Sequence, residues 1–196
     1  DPYAVYDLRY GYAANGLTAP THRAARLDYL MAGCEFLPWL GVTDLIIHAG
    51  FIPNNPFDPD YIALLTCIRQ LGAHAGRLGL NLLFETGAES PVTLLRLIRE
   101  AGLDNLYANP VDALHTLGGL VRNIHMKDGL PPTDCYALGE EKALGEGMVD
   151  FPRFMRALRG LGYDRFLTIE REISGPQQKA DILRAKAYIE ALLAQA

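Results

Sequence analysis

The chain has few cysteines and no long apolar stretch, and each absence excludes a class of protein. Its three cysteines, Cys34, Cys67 and Cys135, are odd in number and widely spaced. This pattern argues against a disulfide framework or a zinc ribbon and favours a reducing cytoplasm. No apolar stretch is long enough to cross a bilayer, and no signal peptide is visible. We therefore expect a cytoplasmic protein with no membrane partner.

The chain also lacks any run of basic residues. It has 18 Lys and Arg against 23 Asp and Glu, which gives a formal net charge of −5. A nucleic-acid partner is therefore disfavoured, because phosphate binding usually requires a Lys/Arg patch. With 196 residues, 49 % of them hydrophobic, the chain is expected to fold as a single domain over residues 1–196 with a sizeable core.

Strand-like and helix-like segments alternate along the sequence. The expected strands are Asp44–Gly50, Asn81–Gly87, Asp104–Tyr107, Val121–Gly129 and Phe166–Glu172. The expected helices cover His22–Leu40 after an N-cap at Thr21, Asp60–Leu78, Pro91–Ala101 after an N-cap at Ser90, Pro110–Leu117, Phe151–Leu161 and Asp181–Ala194. Gly129–Val149 is expected to be a loop. Repeated βα units predict a parallel sheet with right-handed crossovers.

The parallel sheet could be an open doubly wound sheet or a (β/α)₈ barrel. No Gly-rich phosphate fingerprint follows a strand, which weakens the dinucleotide-binding alternative. Charged residues at several strand ends favour the barrel, whose active sites lie at the C-terminal ends of its strands. Such barrels typically have ~250 residues. We therefore expect the early strands before Asp1, and a loop around Tyr107–Asn109, to be absent from this sequence.

Three of the expected apolar strands deliver ionisable side chains at their C-terminal ends, namely Glu85, His125 and Glu170. Two carboxylates and one imidazole converging at one end of a parallel barrel indicate a divalent metal and proton-transfer chemistry. The simpler alternatives are a rim carboxylate that caps the next helix for Glu85, and a hydrogen-bonded core histidine for His125.

Neighbouring residues extend this set. Lys127 lies on the same face of its strand as His125, while Asp128 lies on the other face and is expected to orient neighbouring backbone without binding the metal itself. Glu172 lies on the same face as Glu170. His48 ends its own strand, where it either hydrogen-bonds a neighbouring strand or contacts a substrate hydroxyl.

Five segments in a fixed order resemble the sugar-phosphate isomerase/epimerase family, which has the fold of xylose isomerase. They are Ile47–Gly50, Phe84–Gly87, Ile124–Asp128, Leu144–Gly147 with Asp150 and Phe151, and Ile169–Glu172. The family includes ketose 3-epimerases, hydroxypyruvate isomerase, inosose dehydratase and apurinic-site endonucleases. The resemblance, over Asp44–Ser174, implies a xylose isomerase-like TIM barrel.

The resemblance implies a divalent metal bound by Glu, Asp, His and Glu at four strand ends. Glu85, His125 and Glu170 match the first, third and fourth ligands. The second should be an Asp after Tyr107, in a segment of the form Asp-Pro-(Ala/Gly)-(Asn/His), where this chain has Ala108-Asn109-Pro110-Val111; Asp112 falls in the next expected helix. The loop is either missing from this sequence or deleted, and a true deletion predicts an inactive protein. Mn²⁺ or Mg²⁺ fits this ligand set better than Zn²⁺.

The implied activity is that of a metal-dependent isomerase or epimerase of a small sugar, sugar phosphate or hydroxy-ketone. The metal would stabilise an enediolate, and Glu85 and Glu170 would remove and return a proton from opposite faces. His48, Lys127 and Glu172 are expected to bind the substrate. The expected partner is a small-molecule sugar, and a homodimer or homotetramer is allowed.

Two alternatives remain open. An inosose-type dehydratase would use the same metal site on a cyclic polyol, and a non-catalytic sugar-binding barrel is favoured by the missing Asp. An apurinic endonuclease is disfavoured, because it needs a multi-metal cluster and a basic DNA-binding face that this acidic chain lacks.

Overall fold

The computed structural model of the protein describes residues 16–86, 89–109, 114–131 and 139–194. The chain forms two compact units, Asp1–Arg122 and Asn123–Ala196. The first unit contains α1 (Arg23–Phe36), β1 (Asp44–Ile47), α2 (Pro59–Arg77), β2 (Asn81–Glu85), α3 (Pro91–Ala101), β3 (Leu106–Asn109) and α4 (Leu114–Leu117). The second contains β4 (Ile124–Met126), β5 (Asp128–Leu130), β6 (Glu140–Lys142), α5 (Phe151–Gly160), β7 (Leu167–Ile169) and α6 (Pro176–Ala194). Whether the chain is a single domain stays a prediction.

The first unit is built on a three-stranded parallel sheet in the order β1-β2-β3. In its register Ile47 lies opposite Phe84, and Glu85 lies opposite Asn109. The helix α2 packs against β2 and against its neighbours α1 and α3. Because β1 and β2 are each followed by a helix and then by the next parallel strand, the predicted βα pattern is confirmed in this unit.

Sequence signals at the helix starts explain where α2 and α3 begin. The Asp58 side chain accepts a hydrogen bond from the Asp60 N–H at 2.8 Å, and Pro59 occupies the first helical position. At α3, the predicted N-cap Ser90 accepts from the Thr93 N–H at 3.2 Å. Both caps satisfy amide groups that the helix itself leaves without partners.

The second unit has two small sheets. The strands β4 and β7 pair in parallel, with Met126 opposite Ile169, while β5 and β6 form an antiparallel pair. The helices α5 and α6 pack against each other. Phe151 of α5 meets the Tyr188 ring of α6 edge to face at 5.9 Å, a favourable aromatic geometry.

Several predicted boundaries are wrong. The first helix has its N-cap at His22 rather than Thr21, and it ends at Phe36, where a 3₁₀ helix follows. The last helix begins at Pro176, five residues before the predicted start. The predicted loop 129–149 contains β6 and part of β5.

The most consequential boundary concerns β3. It was expected at Asp104–Tyr107 but lies at Leu106–Asn109, two residues further along the chain. The strand is continuous through Ala108 and Asn109, where a shortened loop was expected. The expected start of the next helix, residues 110–113, lies outside the described residues.

Two of the three cysteines lie among the described residues. Cys34 and Cys67 are buried free thiols, as expected for small core residues, and Cys135 lies outside the described residues. Burial raises the pKa of both thiols above the usual value. No helix in the described part of the chain is long and apolar enough to cross a membrane.

Candidate functional site

In the first unit, polar side chains collect at the C-terminal edge of the parallel sheet. His48 follows β1, while Glu85 and Asn109 are the last residues of β2 and β3. The His48 Nε2 atom lies 3.3 Å from Oε2 of Glu85. The Glu85 side chain is mostly buried at 20 % exposure, whereas that of His48 is 62 % exposed. His48 can therefore contact both this carboxylate and a molecule arriving from solvent.

Asn109 is a residue that the sequence analysis did not select. It is fully buried, and its backbone carbonyl accepts the Thr86 N–H at 3.2 Å. Asn109 was missed because the strand was expected to end at Tyr107. The available signal was the Asn109-Pro110 pair, which stands where the resemblance calls for Asp-Pro.

In the second unit, Glu170 lies between a histidine and a lysine. Parallel pairing of β4 and β7 places the Glu170 N–H 3.1 Å from the Met126 carbonyl oxygen. The residues on either side of Met126, namely His125 and Lys127, therefore face Glu170. The His125 Nδ1 atom lies 2.9 Å from Oε2 of Glu170, and the Lys127 Nζ atom lies 3.2 Å from Oε1. Each carboxylate oxygen therefore has its own neighbour.

Lys127 also binds the exposed Glu172, whose Oε1 lies 2.8 Å from Nζ. Burial lowers the pKa of Lys127, but the hydrogen bonds to Glu172 and Glu170 outweigh it, and the pKa ends above its usual value. Lys127 is therefore a fixed cation and a hydrogen-bond donor at neutral pH.

Asp128 organises a glycine loop in the same unit. Its Oδ2 accepts the N–H groups of Gly145 and Gly147, both at 2.9 Å, and its Oδ1 accepts that of Val149 at 3.1 Å. A Cβ atom on Gly147 would lie 2.1 Å from Asp128 Oδ1, so only glycine allows this approach. The carboxylate is almost fully buried and has a structural partner for each oxygen.

The segment that follows Glu170 is fixed by a second cluster of charges. Arg171 Nε donates to Asp181 Oδ2 at 2.9 Å, and Arg171 Nη1 lies 3.1 Å from Glu141 Oε2. The Glu141 carboxylate also accepts the Glu172 N–H at 3.0 Å. The segment 170–172 is thereby tied to both α6 and β6.

Similarity to known proteins is extensive. The family model for the xylose isomerase-like TIM barrel matches residues 4–192. A crystal structure of a xylose isomerase domain protein from Planctomyces limnophilus superposes with a TM-score of 0.88 at 30 % identity. The match covers 98 % of this chain and 73 % of the Planctomyces chain. No curated protein matches this chain in sequence.

Two more distant structures share the fold. A xylose isomerase-like TIM barrel protein from Mycobacterium smegmatis, in complex with magnesium, has a TM-score of 0.70 at 16 % identity, covering 90 % of this chain and 69 % of its own. The 3-keto-D-glucoside 4-epimerase from E. coli has a TM-score of 0.68 at 18 % identity, and the match covers 87 % of this chain and 72 % of the epimerase. The extent of the family match and the identity to the Planctomyces protein confirm the predicted fold: this chain belongs to the xylose isomerase-like TIM barrel family.

Proposed function

We propose that the protein is a metal-dependent epimerase or isomerase of a small sugar, sugar phosphate or hydroxy-ketone. The observation that carries this proposal is the carboxylate of Glu170, which has the His125 imidazole 2.9 Å from one oxygen and the Lys127 ammonium 3.2 Å from the other. Membership of a family whose solved relatives include a sugar epimerase agrees with it.

The residues present fit a divalent cation. His125 Nδ1 and Glu170 Oε2 are both buried, and at 2.9 Å two such atoms need a proton or a cation beside them. We propose that Glu85, His125 and Glu170 are the ligands. Carboxylate oxygens with one imidazole suit Mn²⁺ or Mg²⁺ better than Zn²⁺. When bound, the cation would polarise a sugar carbonyl and its neighbouring hydroxyl, which acidifies the hydrogen on the carbon between them.

The two glutamates would then act as the acid and base. Glu170 has one oxygen fixed by Lys127, so its orientation toward a substrate carbon does not depend on the rotation of a free side chain. Glu85 lies at the end of β2 with His48 beside it at 3.3 Å. Removal of a proton by one carboxylate and its return by the other inverts the carbon; return to the neighbouring carbon isomerises the sugar.

The other polar side chains would bind and orient the substrate. Lys127 stays cationic at neutral pH, because its pKa is raised by the hydrogen bonds to Glu172 and Glu170, which outweigh its burial. It can donate to a sugar oxygen. His48 and Glu172 both have side chains that are 62 % exposed, so they can reach substrate hydroxyls. Asp128 would act only by holding the 145–149 loop.

Product analysis would test the proposal. The protein is incubated with a panel of ketoses, ketose phosphates and 3-keto glycosides, with Mn²⁺ or with EDTA, and products are identified by NMR. We expect a new epimer or isomer only with metal, and none from Glu170→Gln. The matched control is Glu190→Gln, which alters an exposed surface pair with Lys186. An unsaturated product would establish the dehydratase, and binding without turnover would establish the sugar-binding barrel.

A further inference from the structure

Lys127 lies between two carboxylates at the strand ends of the second unit. Its Nζ atom is 2.8 Å from Oε1 of Glu172 and 3.2 Å from Oε1 of Glu170. The Lys127 side chain is 26 % exposed and that of Glu172 is 62 % exposed, so a ligand can reach both groups. Any ligand group that binds this ammonium must therefore share it with a carboxylate or displace one.

The backbone holds Glu172 in this position. Its N–H donates to both oxygens of the Glu141 carboxylate, at 3.0 and 3.1 Å. The preceding residue, Arg171, donates from Nε to Asp181 Oδ2 at 2.9 Å. Because these contacts fix the chain on either side of the peptide bond, Glu172 is held near Lys127 by more than its own ion pair.

The ion pairs around Lys127 give this edge of the unit an excess of negative charge. The two cations, Lys127 and Arg171, pair with the carboxylates of Glu141, Glu170, Glu172 and Asp181. Two positive against four negative charges give a net charge of −2 with His125 neutral. Arg184 adds one cation through Asp181 and one further carboxylate, Glu146, so the balance does not change. A divalent cation beside Glu170 would cancel the excess but leave no surplus of positive charge.

Further cations are scarce in the segments that follow these strands. Between Gly129 and Val149 the sequence has one Lys or Arg, namely Lys142, and it pairs with Glu140. The sequence has none between Glu172 and Pro176. Among the described residues of these segments, a phosphate would therefore find no cation without a carboxylate partner.

We propose that Glu172 is a specificity-determining residue that makes the protein accept uncharged sugars and reject sugar phosphates. This inference rests on the proposed function and narrows its substrate class. A hydroxyl group both donates and accepts hydrogen bonds, so neighbouring sugar hydroxyls can accept from Lys127 and donate to Glu172. A phosphate ester carries about −1.5 to −2 charges at pH 7. It would compete with two carboxylates for one ammonium, and such a juxtaposition of like charges excludes a ligand.

Kinetics on matched substrates test the inference. A panel of ketoses that includes D-fructose and D-ribulose is compared with the terminal phosphate esters of the same sugars, with Mn²⁺ present. The measured quantity is kcat/KM for the uncharged sugar divided by kcat/KM for its ester. A charge pair at a partly exposed site changes an equilibrium constant roughly tenfold, so we expect a ratio of at least about ten. In Glu172→Gln the ratio should fall about tenfold, mainly through a lower KM for the ester.

Two further variants separate specificity from structure. Glu172→Asp keeps the charge and should keep the preference for the uncharged sugar. Glu190→Gln removes the same charge from another exposed Glu–Lys pair of this unit and should leave the ratio unchanged. A purely structural Glu172 would instead lower kcat/KM for both substrates alike, so the ratio in Glu172→Gln would stay at the unaltered value and the inference would be overturned. Esters used as well as the uncharged sugars by the unaltered protein would also overturn it.

Calorimetric binding separates failure of the inference from failure of the proposed function. D-Glucitol and its terminal phosphate ester are unreactive analogues of the open-chain sugars. We expect the uncharged polyol to bind at least about tenfold more tightly than the ester, and Glu172→Gln to reduce this difference. That result without turnover of any ketose would overturn the epimerase or isomerase and support the selectivity. Absence of both turnover and saturable polyol binding would overturn both.

Discussion

The imidazole of His125 and the carboxylate of Glu170 lie on neighbouring parallel strand ends, with Nδ1 2.9 Å from Oε2. The parallel pairing of β4 with β7 brings about this approach: it sets His125 opposite Thr168, and Glu170, two residues beyond Thr168, projects from the same face of the sheet. The imidazole nitrogen and the carboxylate oxygen are both buried. The pair is therefore held ready by the backbone, and a bound cation would not need to assemble it.

Replacing His48 by Ala should affect substrate binding more than chemistry. His48 contacts Glu85 at 3.3 Å but is largely exposed, so its free ring edge can bind a substrate hydroxyl. We expect KM to rise more than kcat falls, which is the signature of lost ground-state binding. Steady-state kinetics on the best substrate would measure both. A fall in kcat at unchanged KM would instead assign His48 to the chemical step.

Replacing Asp128 by Asn should destabilise the fold. The amide nitrogen would have to face backbone N–H groups, such as those of Gly145 and Gly147, that now donate to the carboxylate. Unsatisfied buried donors cost about 1–3 kcal/mol each, so we expect a loss of at least about 2 kcal/mol in the free energy of unfolding. Urea denaturation would measure it, with the surface change Glu146→Gln as the control. Equal stability of the two variants would show that the 145–149 loop does not depend on this carboxylate.

The Arg171–Asp181 pair predicts a pH dependence of stability. The Arg171 hydrogen bond, with help from Gln177, lowers the pKa of Asp181 below its usual value. A group whose pKa is lowered on folding stabilises the protein above its unfolded pKa of about 4, and this stabilisation is lost as the pH falls through the folded value. Asp181→Asn should therefore lower the melting temperature at pH 7.

The same variant should approach the unaltered protein in acid. Below about pH 4 the aspartate of the unfolded chain protonates, and at still lower pH that of the folded protein does so, so the difference in melting temperature between the two proteins should shrink. Thermal unfolding from pH 7 down to the most acidic pH at which the protein stays folded would follow this. A difference that stays constant over the whole range would mean that Asp181 acts by packing and not by charge.

The sequence predicted the strands that carry Glu85, His125 and Glu170 because each is an apolar segment that ends in a charged residue. It also predicted the Ser90 cap from a local signal, because serine followed by proline is typical of a helix start. The fold class also followed from the order of these segments, and the similarity to the Planctomyces protein confirms it. The roles of the individual site residues, the cytoplasmic location and the homodimer or homotetramer stay predictions.

Other features depend on tertiary contacts that no local pattern contains. Asn109 was missed because the two-residue shift of β3 is set by pairing with β2, and Leu106 and Tyr107 fit a strand in either register. Asp128 was expected to orient neighbouring backbone, but its partners were not identified, because Gly145, Gly147 and Val149 lie 17 to 21 residues away.

The most direct measurement of the central claim is the exchange of solvent deuterium into the carbon-bound hydrogen of a ketose substrate. We expect exchange by the Mn²⁺-loaded protein, none in EDTA, and a rate about 10²–10⁴-fold lower for Glu170→Gln, since that is the usual contribution of a general base. The control Glu190→Gln should exchange at the unaltered rate. Undiminished exchange by Glu170→Gln would remove Glu170 from the acid/base pair. Absence of exchange by the metal-loaded protein across the whole panel of ketoses would contradict the proposed epimerase or isomerase.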